Sequence, residues 1–95
     1  MSSETVSEIE RRLRKHLNPV VLELVDDSAK HVGHRGATSG GGHYRLVVVS
    51  SKFADKTSIE RHRMVHEILG DLFDGEIHAL SMRTLTPDQW EAGQP

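Results

Sequence analysis

The run Tyr44-Arg45-Leu46-Val47-Val48-Val49-Ser50 constrains this chain more than any other stretch. It is β-branched and almost continuously apolar, the pattern of a central strand with both faces partly covered. Such a strand needs neighbours. Residues 20–25, Val-Val-Leu-Glu-Leu-Val, read as the first of them, and a hairpin is the economical pairing. Residues 77–83, beginning Ile77-His78-Ala79-Leu80, read as the other. A helix predicted over residues 57–73 separates this last strand from the central one, so that pair is expected to be parallel.

The helix carries its own punctuation. Thr57 is placed to cap it, with Glu60 three residues on to complete a capping box. Val65, Ile68, Leu69, Leu72 and Phe73 share a face about 140° wide at ~100° per residue. Asp74-Gly75 closes it, with Gly75 suited to a left-handed conformation. An earlier helix is predicted over residues 3–17, where Val6, Ile9, Leu13 and Leu17 form one stripe about 80° wide. Arg11, Arg12, Arg14 and Lys15 load its last half, matching the negative end of the helix dipole. Asn18-Pro19 stops it. Near the end, Thr86-Pro87-Asp88-Gln89-Trp90 has cap, first-turn proline and box residue in place for a short helix, with Trp90 docking it on the body. The order is α-β-β-α-β-α, an α+β fold with a three-stranded mixed sheet packed against helices. Ninety-five residues make one domain, 1–95, with an ordered core of about 4–92.

Composition excludes several functions. There is no cysteine, so neither disulfides nor a thiolate metal site arise from this chain. Net charge is −2, which argues against a dedicated nucleic-acid binder. No G-x-S-x-G elbow or paired-carboxylate site is present, so an enzyme is not expected. The start, Met1-Ser2-Ser3-Glu4, lacks an apolar signal segment and is acidic, unlike a transit peptide.

Histidine is the outlier, with seven in 95 residues. His62 and His66 lie one helical turn apart, a spacing that can chelate a metal but equally describes histidines at a core edge. His31, His34 and His43 accompany a glycine-rich segment, residues 29–42, too long for a tight turn. His78 lies in the last strand. By alternation Ile77, Ala79 and Ser81 face one way and His78, Leu80 and Met82 the other. His78 is therefore either at the core edge or, if the strand end is open, at the surface.

Taken in order and spacing, several stretches resemble the BolA-like family over about residues 9–90. They are Val25-Asp26-Asp27-Ser28 with His31-Val32-Gly33-His34, His43 through Ser50, Arg61-His62-Arg63-Met64-Val65, Ile77-His78-Ala79-Leu80, and Thr86-Pro87. Asp55 departs from the pattern, standing where the family usually has glycine. The resemblance implies a class II KH-like topology and a non-enzymatic role. It implies a partner, a monothiol glutaredoxin of the CGFS type, and a bridging 2Fe-2S cluster shared with that partner and glutathione, the isolated chain holding none. His78 would be one ligand. The second comes from the loop, where the family has either Cys or His. In this cysteine-free chain it matches His31 first, then His34, then His43. Partner contact is expected at His62, Arg63 and His66. Ligation of this mixed kind raises the reduction potential relative to all-Cys clusters. It also needs neutral imidazole, so assembly weakens below about pH 6.5. The alternative is a KH-like DNA-binding transcriptional regulator using Lys52, Lys56, Arg61 and Arg63, although no G-x-x-G clamp is present. Expected locations are the bacterial cytoplasm, a mitochondrion or a plastid, with no membrane association.

Overall fold

The computed structural model describes residues 2–27 and 42–93. Helix α1 covers Ser2–Leu17 and buries Ile9, Leu13 and Leu17, three residues of the stripe expected from sequence. It ends where Asn18 turns left-handed, at φ 45°, while its N–H still reaches the Arg14 carbonyl at 3.2 Å. Asparagine tolerates that conformation, and Pro19 has no N–H to continue the helix. Strand β1, Val21–Asp26, pairs antiparallel with β2, Gly42–Val49. Strand β3, Ile77–Leu85, pairs parallel with the other edge of β2. The sheet order is β1-β2-β3, the mixed three-stranded arrangement predicted.

Alternation along β2 settles which face is covered. Tyr44, Leu46 and Val48 are buried, and their register partners Leu22, Leu24, Leu80 and Met82 pack against the same core. Helices α1 and α2 supply the rest, with Ile9, Leu13, Leu17, Val65 and Leu69. The opposite face is partly covered, as expected, but only toward one end, where Val49 is fully buried and Val47 half-buried. Arg45 interrupts its apolar residues and is exposed, as are Glu23, Val25, Ala79, Ser81 and Arg83 on the flanking strands. Arg45, Glu23 and Arg83 together leave the middle of that face in water.

Helix α2 covers Ser58–Leu69, shorter than the sequence indicated. Its capping box is formed: Glu60 N–H donates to Thr57 Oγ1 at 3.1 Å and Thr57 N–H to Glu60 Oε1 at 2.8 Å. Glycine at position 70 weakens α-helical propagation, and the chain tightens into a 3-10 helix over Gly70–Asp74. That change still buries Leu72. Gly75 is extended, at φ −171°, and not left-handed, since the tighter turn has already reversed the chain. A second 3-10 turn, Ser51–Phe53, follows β2 and plants Phe53 at the centre of the core.

Asp55, after that turn, has φ 65°. This is the position where the resemblance leads one to expect glycine, and the backbone shows why. Left-handed φ costs an L-residue about 1–2 kcal/mol, less for Asp. Asp55→Gly is therefore expected to stabilise the domain by about 0.5 kcal/mol, measured by urea unfolding. A loss of stability would mean Asp55 makes a compensating local bond.

An ion network ties α1 to the 3-10 segment. Arg12 donates from Nε to Glu8 at 2.6 Å and from Nη1 to Asp71 at 2.7 Å, while Arg11 donates to Glu8 at 2.7 Å. The hydrogen bonds from Arg11 and then Arg12 hold the Glu8 carboxyl at about 2, and the Arg12 hydrogen bond holds Asp71 below its usual range. A carboxylate depressed by folding adds stability above its ordinary value near 4.5, and loses it as pH falls toward 2. Thermal melts between pH 5 and 2 should show this limb, and Glu8→Gln should flatten it. An unchanged limb in the variant would remove Glu8 as its source.

Helix α3, Pro87–Gly93, closes the chain with Trp90 half-buried. Its box forms as read from sequence, Thr86 N–H to Gln89 Oε1 at 2.9 Å and Gln89 N–H to Thr86 Oγ1 at 3.2 Å.

Candidate functional site

The site is built by an irregularity between β2 and β3. Gly42 is opposite Ile77, but the next residue, His43, is opposite Ala79. Strand β3 therefore advances two residues while β2 advances one, and His78 is the extra residue of a bulge. A bulge re-aims a side chain that alternation would send elsewhere. Ile77 is 2% exposed and joins the core, whereas His78 and Ala79 are both exposed. The strict alternation expected from sequence thus fails at this point. Leu80 and Met82 do face the helices, Ile77 faces them too, and His78 is turned out.

Turned out, His78 meets His43. Their ring centroids are 5.1 Å apart with planes at 44°. His43 is half-buried and its backbone is held on both sides, by Gly42 N–H to the Glu76 carbonyl at 2.9 Å and by Asp27 N–H to the His43 carbonyl at 2.7 Å. Gly42 itself is required by Tyr44. The tyrosine ring lies over the glycine, and a Cβ at position 42 would come within 2.5 Å of Tyr44 Oη. Neither the role of Gly42 nor the bulge was read from sequence. Gly42 ends a triple-glycine run in which no single glycine is distinguished, and a bulge leaves no mark in composition.

Two adjacent imidazoles can donate two nitrogens to a borderline or soft metal. Among the described residues no group of three or more His, Cys, Asp or Glu side chains is arranged to hold an ion. Any metal bound at His43 and His78 would need further donors from outside that set. His31 and His34, ranked above His43 from sequence, lie outside the described residues.

The other singled-out residues are scattered along the opposite side of the fold. On α2 His62 is half-buried, Arg63 exposed, and His66 exposed with its ring stacked on Phe73 at 4.5 Å. They do not join His43 and His78. Of the basic residues, Lys52, Lys56 and Arg63 are exposed. Arg61 is not available to a ligand. It is 8% exposed, and its guanidinium donates to the carbonyls of Lys56 and Thr84, both at 3.0 Å, and to Gln89 Oε1 at 2.8 Å. Phe53 packs below it, 5.8 Å from ring centroid to guanidinium carbon. Its place in a basic patch is corrected to a structural one. Arginine forks are favoured for such buried multi-acceptor sites, and a sequence pattern does not distinguish them from surface arginines.

A small α+β domain with a half-open mixed sheet and a histidine pair at a strand bulge is the class these features define. The chain belongs to the BolA-like family, whose model, described as BolA-like protein, matches residues 13–89. A BolA-like protein of Dictyostelium discoideum is 42% identical over 86 residues, 90% of this chain and 73% of that protein. BolA-like protein 1 of mouse is 40% identical over 86% of this chain, which spans only 58% of the mouse protein. The DNA-binding transcriptional regulator BolA of Escherichia coli is 37% identical over 90% of this chain and 79% of its own length. Among solved structures, the BolA domain of SufE1 from Arabidopsis thaliana superposes with a TM-score of 0.76 at 38% identity, covering 86% of this chain and 91% of that one. Among the described residues no helix is long and apolar enough to cross a membrane.

Proposed function

We propose that this chain is a non-enzymatic adaptor that binds a monothiol glutaredoxin and contributes imidazole ligands to a bridging 2Fe-2S cluster, in cluster trafficking or redox regulation. The observation that carries this reading is the exposed His78 beside His43, with ring centroids 5.1 Å apart. Two neighbouring imidazoles and no thiolate fit the imidazole half of a mixed donor set, in which thiolates come from the glutaredoxin and from glutathione. His78 would be one ligand. The second would be His31 or His34 of the glycine-rich segment, or His43, whose position beside His78 raises its standing over the sequence ranking. When bound, the cluster supplies electron or cluster transfer. This chain's part is to hold its ligands at a strand bulge whose backbone is tied to the core through Ile77, and to leave the remaining coordination to the partner. Half-buried His62 and exposed Arg63 and His66 on α2 remain candidates for partner contact.

The rival reading is DNA binding, favoured by the similarity to the DNA-binding transcriptional regulator BolA of Escherichia coli. Its surface here would be Lys52, Lys56 and Arg63, without Arg61. One pair of titrations separates the two. Glutaredoxin, glutathione and reconstituted iron and sulfide should yield a heterodimer with visible absorption and CD. Duplex DNA in 50 and 200 mM salt should bind weakly. Tight binding that collapses with salt, together with no cluster spectrum, would favour the regulator instead.

A further inference from the structure

The sheet ends on two strands, β1 and β3, that each have one neighbour among the described residues. Hydrogen bonding along β3 shows which backbone groups are left over. Ser50 N–H donates to the Leu85 carbonyl at 2.9 Å. Leu85 therefore turns toward β2, and by alternation so do Arg83, Ser81 and Ala79. Leu80, Met82 and Thr84 turn the other way. Arg61 takes the Thr84 carbonyl at 3.0 Å. Among the described residues nothing meets the N–H and carbonyl groups of Leu80 and Met82. Native edge strands are ordinarily blunted by a charge, a proline or a bulge. The stretch past His78 has no proline and no further bulge, and its one charge, Arg83, stands on the open face. Backbone groups in this arrangement are matched by another β-strand.

We infer that β3 pairs antiparallel with β3 of a second copy of this chain, about a twofold axis at Ser81, making one six-stranded sheet. In that register Leu80 of each copy exchanges two backbone hydrogen bonds with Met82 of the other. The side chains suit it. On the helix side half-buried Leu80 meets half-buried Met82, twice; on the open face Ser81 meets Ser81 and Arg83 meets the small Ala79. The two Arg83 residues lie four positions apart, about 14 Å, so no like charges oppose one another. Strand β1 fails this requirement. Asp27 N–H donates to the His43 carbonyl, which by alternation turns Leu22 and Leu24 outward. Pairing Leu22 with Leu24 of a second copy would set Glu23 directly against Glu23. The β3 contact uses the same patch on both copies and so closes at two. It leaves the two histidine pairs about 20 Å apart at opposite ends of the seam, so it rests on neither functional reading.

The test uses the chain alone. Sedimentation velocity from about 5 μM to about 1 mM should show a monomer passing to a dimer, with a dissociation constant on the order of 100 μM, since the contact is smaller than the ~1,200 Å² of a stable interface. Amide hydrogen exchange at the two ends of that range locates the contact, with protection gained at Leu80 and Met82 only. Ala79→Glu, which sets a carboxylate opposite Arg83 of the other copy, should tighten the dimer about fivefold, and Ala79→Lys should weaken it about fivefold. Ala79 is exposed, so both variants should melt within a few degrees of the parent. A monomer throughout, growth beyond the dimer, protection at Leu22 and Leu24 instead, or like effects of Ala79→Glu and Ala79→Lys would each overturn the proposal.

Discussion

His78→Ala is expected to abolish or reshape the visible CD of the cluster-bound heterodimer and to lower cluster retention at least tenfold. The domain itself should be unaffected. His78 is exposed and its neighbour Ile77 carries the packing, so an unfolding temperature within a few degrees of wild type is expected. This combination, intact fold and lost spectrum, is what a ligand role requires. The second ligand is then found by comparing His31→Ala, His34→Ala and His43→Ala. Whichever variant matches His78→Ala in spectrum and retention is the ligand. The proximity of His43 to His78 makes an effect from His43→Ala the structural expectation, through ligation or through the orientation of His78. If His78→Ala leaves spectrum and retention unchanged, the adaptor reading as stated is wrong.

Arg61→Ala should cost about 3 kcal/mol, a fall in unfolding temperature of roughly 10–20 °C for a domain this size. The guanidinium binds three acceptors on three separate segments: Lys56 before α2, Thr84 on β3 and Gln89 on α3. Removing it takes a charged donor from the Lys56 and Thr84 carbonyls, leaves Gln89 Oε1 with only the Thr86 N–H, and uncovers the face of Phe53. Arg61→Lys should recover less than half of the loss, because an ammonium cannot span the three acceptors of the fork. Arg63→Ala, two residues on and exposed, should change stability by less than about 0.5 kcal/mol. Equal small effects at 61 and 63 would show that the network is dispensable. The contrast matters for function too. A DNA-binding defect in Arg61→Ala would report unfolding, whereas one in Arg63→Ala would report contact.

The local elements were legible because local chemistry decides them. Two capping boxes, Thr57 with Glu60 and Thr86 with Gln89, were read from three-residue spacings and both form. The apolar stripe of α1 and the buried Phe53 follow from side-chain character alone. The helix boundary at Gly70 was missed because the apolar face continues through Phe73, and a 3-10 turn carries nearly the same periodicity over so few residues. The family was legible from ordered motifs, and with it the named histidines.

The sequence by itself determined the element order, the helix starts, the residues of the buried stripe and the presence of a distinctive histidine set. Only the tertiary structure decided which histidine meets which. His43 and His78 are 35 positions apart in the chain. They become neighbours through a parallel register and a one-residue bulge, and register is set by the packing of Ile77, Leu80 and Tyr44 into one core. The same packing decided that Arg61 belongs inside and Arg45 outside. Periodicity states which residues share a face of one element. It carries no information on the face of another element they will meet, because that is settled by the core as a whole.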